Sequence, residues 1–281
     1  MDCQTINYRN IPVQSDIIVG IIELDVDSVS CFRELENLIR SDQGVTALLL
    51  RVVNSPLYSR GRNITTIPLS ISVLGFNVVR SLALLAFSRS LFSQTKNSQF
   101  RTHVWQHSLL TALASQSICG KLKHTSGRDE AFVAGLMHDT GKVLLFNHDQ
   151  KRCLEALALS IETGCSSLEA EQRFFGFNHV QIGDEAVTQW KLPERFRDYM
   201  AFDLAVPRAK YATDAVLLSL AVANSLVKWR GIGGCLTEDA ELQKSALMSL
   251  GLDEPLCNVL LDETFVADLM EIDTYKLFAT L

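Results

Sequence analysis

No run of 18 apolar residues occurs in this chain, so its composition excludes a single membrane-spanning helix. The N-terminus also lacks the charged, apolar, small-residue progression of a secretory leader. Both absences lead to the expectation of a soluble, cytoplasmic protein. Paired cysteines are missing too. Cys3, Cys31, Cys119, Cys153, Cys165, Cys235 and Cys257 are odd in number and scattered, and they never form CxxC, which argues against a disulfide framework or a zinc ribbon. Reduced, buried thiols are expected instead. From Arg51 to Arg101 there is no acid at all, only Arg51, Arg60, Arg62, Arg80, Arg89, Lys96 and Arg101. From Thr237 to Asp273 the imbalance reverses, with Lys244 alone among ten acids. A net charge of −6 argues against wholesale nucleic-acid binding, while the uneven distribution fits either two solvated surfaces of different sign or a basic docking face.

What is present is helical. A chain of 281 residues, 47% apolar, can bury one large core or two modest ones. Ile17–Ile22 is an apolar run readable as a short strand or a buried arm. Helical period begins with Phe32, Leu35, Leu38 and Ile39. Asp42 then stands as N-cap for a helix whose stripe is Val45, Leu48, Leu49, Val52 and Val53, stopped at Asn54-Ser55-Pro56. After a loop containing Gly61, Pro68 fits a first helical turn. Leu74-Gly75-Phe76-Asn77 reads as a break, with Asn77 capping a helix that carries Val78, Val79, Leu82, Leu85 and Ala86. The segment SQTKNSQFRT, residues 93–102, is polar and without apolar period, and is expected to be a linker. Further on, Ser166 and Glu169 form a capping box for a helix through Phe175 that ends at Gly176. Asn178 can cap a helix bearing His179, Ile182, Gly183, Ala186, Val187 and Trp190, which Leu192-Pro193 ends. A helix-turn-helix over Ile71–Phe92 is a weaker reading, because a recognition helix must offer polar groups to base edges and this one offers mainly Arg80 and Arg89.

The chemistry gathers in AFVAGLMHDTGK, residues 131–142. As a helix, Ala131, Ala134, Gly135 and His138 make a narrow small-residue face that ends in an imidazole, and Asp139 follows at once. A His-Asp pair at a helix terminus can offer a nitrogen and a carboxylate oxygen to one cation. The bland alternative is a satisfied core histidine followed by a capping Asp. Upstream, His103, His107, Leu110 and Ala114 share a helical face.

The HDxGK segment resembles the central motif of the HD metal-dependent phosphohydrolase superfamily. LLLRVVNSPLYSRGRNITTIPLSISVLGFNVVRSLAL, residues 48–84, is similar to the signature of its HDOD branch, the HD-related output domains of bacterial signalling proteins, and FGFNHVQIG followed by WKLP agrees. The resemblance spans roughly Val19 to Trp229. It implies an all-α, two-lobed chain: an N-terminal helical lobe over residues 1–95 and an HD-like helical bundle over 103–281 that includes acidic C-terminal helices. It also implies a divalent metal such as iron, manganese or magnesium, with His107 at the first ligand position, then His138 and Asp139. His179 resembles the additional metal-binding histidine of the HD-GYP branch, and Lys142 becomes a candidate phosphate contact. His103 has no counterpart and reads as a partly exposed neighbour.

The chain departs from the superfamily pattern in one place that matters. HD hydrolases carry a final carboxylate in a segment resembling Ala-Asp-x-Leu, and here Ala223-Asn224-Ser225-Leu226 puts Asn224 at that position. An amide oxygen can touch a cation but adds no charge. The paired histidines of HD-GYP proteins and the GYP motif are absent from FRDYMAFD and the rest of the chain. The resulting expectation is a non-catalytic signalling or scaffold module that recognises a protein partner, with a nucleotide or metal as a structural element. The alternative is a metal-dependent phosphohydrolase acting on a nucleotide or cyclic dinucleotide with a reduced site. DNA is a poor fit and no membrane is expected. No receiver, cyclase or kinase segment is seen, so input is expected to arrive by association.

Overall fold

A computed structural model describes the chain except for residues 1–5, 9–14, 26, 56–57, 59–62, 92–96, 203–207, 212, 234–239 and 280–281. Gly61, Pro56 and residues 93–96 of the expected linker therefore lie outside the described residues, as do Cys3 and Cys235. Among the described residues every regular element is a helix. No single helix among them is long and apolar enough to cross a membrane. The five described cysteines are free thiols, four of them buried.

The chain forms two compact units. The first contains Tyr8–Ser93 and Gln189–Pro193. Its helices are α1 (Ser15–Glu23), α2 (Cys31–Arg40), α3 (Gln43–Val53), α4 (Ile67–Leu74) and α5 (Phe76–Leu91). The Ile17–Ile22 run is helix rather than strand, and it buries Ile17, Ile18 and Ile21. A short apolar run carries no decisive period, and the i, i+3, i+4 burial within the unit settles it as a helix. Asp42 Oδ1 accepts from Val45 N at 2.9 Å, a cap that stabilises α3 by about 1 kcal/mol. Helix α5 begins two residues earlier than an Asn77 cap would place it. Gly75, at φ 86°, is the whole break, and Asn77 sits inside α5 instead of capping it.

Helix α5 buries Val79, Leu82 to Ser88 and Leu91, so it is enclosed on most of its circumference. Arg80, one of the candidate basic-face residues, donates to the carbonyls of Ile21 at 3.0 Å and Ile22 at 2.7 Å. It thus satisfies the C-terminal end of α1 instead of standing in solvent as a docking charge. Trp190, reached by the excursion 189–193, stands edge-on to Phe87 and donates its indole N–H to Tyr8 O at 3.0 Å.

The second unit contains Gln94–Thr188 and Glu194–Leu281, with Met1–Asn7. Ser98–Phe100 is helical and runs into a π-helical stretch, Arg101–Gln106, that leads directly into α6 (His107–Lys121). The latter part of the expected linker is therefore ordered helix. Phe100, its one large apolar residue, is buried and stacked on Phe146 at 3.9 Å. Next come α7 (Arg128–Met137), α8 (Thr140–His148), α9 (Gln150–Thr163), α10 (Ser167–Phe175), α11 (His179–Gln189), α12 (Arg195–Met200) and α13 (Ala215–Trp229). The chain closes with α14 (Ala240–Ser249), α15 (Glu254–Leu261), α16 (Glu263–Glu271) and α17 (Asp273–Ala279).

Helices α6, α7 and α13 pack on one another as the centre of this unit. The small-residue stripe makes that possible. A Cβ on Gly135 would stand 2.6 Å from Ala112 Cα and 2.7 Å from its backbone nitrogen, so α6 and α7 approach backbone to backbone. Helices α16 and α17 lie against α6, and Trp105 donates its indole N–H to Phe278 O at 2.9 Å.

Candidate metal centre

Four helix ends in the second unit meet around Asp139. His107 opens α6 at the end of the π-helical stretch, a distortion often found at functional sites. His138 closes α7, and Asp139 occupies the N-cap position of α8. Asp139 makes no side-chain capping bond, so the bland reading of this residue as a cap does not hold. Its carboxylate is turned inward. Oδ2 accepts from Lys142 Nζ at 2.8 Å and lies 3.6 Å from His138 Nε2 and 3.8 Å from His107 Nε2. Oδ1 lies 3.8 Å from His179 Nε2, and it is buried with no hydrogen-bond partner. Asn224, on α13, places its Oδ1 3.0 Å from His107 Nε2. The structure thus brings His107, His138, Asp139, His179, Lys142 and Asn224 together, all of them buried. His103 is half-buried and is not one of the residues whose ligand atoms cluster.

The histidine tautomers follow from their outer partners. His107 Nδ1 donates to Ile232 O at 2.9 Å and His138 Nδ1 donates to Gly135 O at 2.8 Å. The two Nε2 lone pairs then face each other at 3.2 Å, with Asn224 Oδ1 as a third acceptor. Acceptors pointed at acceptors repel unless a cation lies among them or the Asn224 amide turns its N–H toward His107. Burial pushes the His107 imidazole well below its usual value and His138 below it as well, despite the nearby Asp139. Burial alone would raise the Asp139 carboxyl, but His138, Lys142, His107 and His179 outweigh it and hold it well below the carboxylate range. Neutral imidazoles beside an ionised carboxylate are the protonation states a metal requires.

The dimensions also fit. Ligands about 2.1 Å from one ion stand roughly 3 to 3.5 Å apart, and His107, His138 and Asp139 offer atoms all within 4.8 Å of one another, including the 3.2 and 3.6 Å pairs.

Glu171 is the residue that sequence reasoning missed. From α10 its Oε2 accepts from both the backbone N–H of His179, at 2.7 Å, and His179 Nδ1, at 2.6 Å. This fixes the ring so that Nε2 faces Asp139, the carboxylate–histidine arrangement that commonly supports metal ligands. The available signal was an acid on the apolar face of α10, in line with the buried Phe175 four residues on. The same helix begins with the expected capping box between Ser166 and Glu169. Glu171→Gln is expected to weaken manganese binding by about tenfold and to raise the share of the Nε2–H tautomer of His179. Calorimetry and ¹⁵N NMR of the histidine rings measure the two effects.

Two glycines make the convergence possible. A Cβ on Gly141 would stand 1.9 Å from His179 O, so HDxGK needs its glycine for α8 to reach the start of α11. Gly233, at φ 79°, lies where a Cβ would be 2.4 Å from His107 Cγ and Nδ1. It lets the loop after α13 close over that ring and present Ile232 O.

In this all-α unit separate helices present histidines to a His-Asp pair. The chain belongs to the HDOD family: it matches the HDOD domain over residues 11–205. Among solved structures it is similar to an HDOD domain protein of unknown function from Geobacter sulfurreducens, with 25% identity, a TM-score of 0.72, and coverage of 99% of this chain and 93% of that one. A candidate signal transduction protein from Marinobacter aquaeolei VT8 shares the fold at 20% identity and TM-score 0.70, with 96% of this chain and 60% of that one covered. So does a candidate metal-dependent phosphohydrolase from Shewanella amazonensis SB2B at 20% identity and TM-score 0.55, over 96% and 91%. No curated protein matches the chain.

Proposed function

We propose that the chain is a non-catalytic HDOD signalling module that acts through a protein partner, with the His107/His138/Asp139/His179 centre as a structural or ligand-responsive element. The observation that carries this reading is Asn224, 3.0 Å from His107 Nε2, where a second carboxylate would be needed. Asp139 is the single carboxylate among the ligand atoms, and Lys142 already neutralises it at 2.8 Å. A divalent ion there would keep most of its charge uncompensated by the residues that hold it. The similarity in fold to a candidate signal transduction protein supports the signalling half of the reading.

A second reading, a phosphohydrolase with a reduced site, draws on the unpartnered Asp139 Oδ1 and the facing imidazole nitrogens. A cation bound there would polarise a phosphoryl oxygen and acidify a water. The chain's own residues would orient it through Glu171, Ile232 and Gly135. Turnover separates the two readings. Protein loaded with manganese or iron is expected to release no more product from nucleotides, cyclic dinucleotides or p-nitrophenyl phosphate than the His138→Ala variant does. Robust turnover by the parent, abolished in His138→Ala, would overturn the non-catalytic reading and assign water activation to this centre.

A further inference from the structure

The first unit carries a run of large apolar side chains that its own core does not use. Val29 is fully exposed, and Phe32, three residues on in the first turn of α2, is 56% exposed. The Phe32 ring stands edge-on, at 5.3 Å, to Phe76, the residue that opens α5. Val73 precedes Phe76 by three residues across the Gly75 break, and Leu69 lies one turn before Val73 on the same side of α4. Both are exposed. Helices α2, α4 and α5 all pack on one another, so the five side chains follow one another across a single surface. The core of these helices is already made by other residues, Cys31, Leu35 and Ile39 on α2 and Ile67 and Ile71 on α4.

The size of this surface matches one side of a dimer. Its five side chains show roughly 400 Å² to water, the extent of a functional patch and about the apolar share of the ~800 Å² that each partner buries in a standard interface. Its form suits its own image as well. A two-fold axis sets each patch against a copy of itself, so the patch must offer both a projection and a recess, and it must not carry one sign of charge. Phe32 is the projection. The recess is the turn at Gly75, exposed at φ 86°, where a Cβ would meet nothing within 4 Å. The elements that form the patch carry both signs: Arg33 and Arg40 with Glu34 and Glu36 on α2, and Asp25 and Asp27 in the turn before it. Helix α4 and the first turn of α5 are uncharged up to Arg80. Arginines and acids on one face can pair across the axis, whereas an anionic lipid surface would call for a basic excess on these elements.

We infer that the surface made by Val29, Phe32, Phe76, Val73 and Leu69 is where a second copy of this chain docks, in a two-fold dimer with Phe32 of each copy set against the Gly75 turn of the other. The contact uses residues of the first unit alone. It therefore rests on neither reading of the His-Asp centre, and it assigns a role to α2 and the α4–α5 turn that the centre does not.

The experiment is sedimentation velocity on the full chain over about 1 to 100 µM, the weak end of what an interface of this size delivers. The parent is expected to be a dimer at the upper concentrations and to form no larger species. Phe32→Glu and Leu69→Glu each bury a charge in the contact, and each is expected to weaken dimerisation by about thirtyfold or more, with the circular dichroism spectrum and urea midpoint of the parent. The two lie on different helices, so one still reports if the other disturbs folding. Met248→Glu, at an exposed apolar position of the second unit, is expected to leave the dimer intact. A parent that stays monomeric at about 100 µM would overturn the inference, as would a dimer that survives both substitutions. Open-ended assembly would overturn it too, because a head-to-tail contact would then stand in place of the two-fold one. So would a monomer that floats with phosphatidylserine vesicles through Phe32, which would assign the surface to lipid. None of these outcomes depends on turnover or metal, so the functional reading is decided separately.

Discussion

Gly141→Ala is expected to destabilise the chain by about 3 kcal/mol and to disorder the His179 end of the centre, a large effect for one methyl group. The added Cβ would stand 1.9 Å from His179 O, 2.7 Å from its carbonyl carbon and 3.1 Å from its Cα. All three are backbone atoms, so no rotamer change relieves the overlap; α8 and α11 must separate. Separation stretches the contact between Asp139 and His179 and pulls on the Glu171 bonds that begin α11. Gly164→Ala is the internal control. Gly164 has φ 69° but nothing within 4 Å of a Cβ, so only the left-handed backbone penalty of about 1 kcal/mol applies. Urea unfolding of both variants gives the ranking. A Gly141→Ala variant no less stable than Gly164→Ala would mean that the two helix ends do not meet as described.

This contrast also marks how far the sequence reaches. Caps and stripes are local, so Asp42, the Ser166–Glu169 box and the Val45-to-Val53 stripe can be read from spacing alone. His107, His138 and Asp139 are visible as residue types suited to a metal, but the 3.2 Å between two Nε2 atoms depends on how closely α6 and α7 pack, which Gly135 sets against a helix 23 residues earlier. Glu171 was hidden because its partner, His179, begins another helix, and nothing local distinguishes it from the other acid of α10, Glu169. The misreadings have the same origin. Phe100 sits in a polar stretch and gives no period, yet its ring is buried and stacked on Phe146 where that stretch is helical. Arg80 looks like part of a basic surface until the carbonyls at the end of α1 are found beside it.

The sharpest test of the centre is a variant that should be worse without metal and better with it. Asn224→Asp places a carboxylate at a buried position where Asn224 Oδ1 now stands 3.0 Å from His107 Nε2, close to the anionic Asp139. With no cation present the new charge meets a lone pair and a like charge, so the metal-free variant is expected to melt below the parent. With manganese the balance reverses. The site then offers two carboxylates against one Lys142 ammonium, and it loses the option, open to an amide but not to a carboxylate, of turning an N–H toward His107 Nε2. Affinity for the ion is expected to rise on the order of 100-fold, and saturating metal should then stabilise the variant by about 2.7 kcal/mol more than it stabilises the parent. Thermal unfolding in EDTA and in manganese, read beside titration with a competing chelator, gives the two signs independently. Destabilisation in both conditions would show that His107, His138 and Asp139 form a polar core cluster and not a metal site. A crossing of the two melting curves, with turnover emerging in Asn224→Asp and absent from the parent, would show that a carboxylate at residue 224 is what the centre needs for hydrolysis.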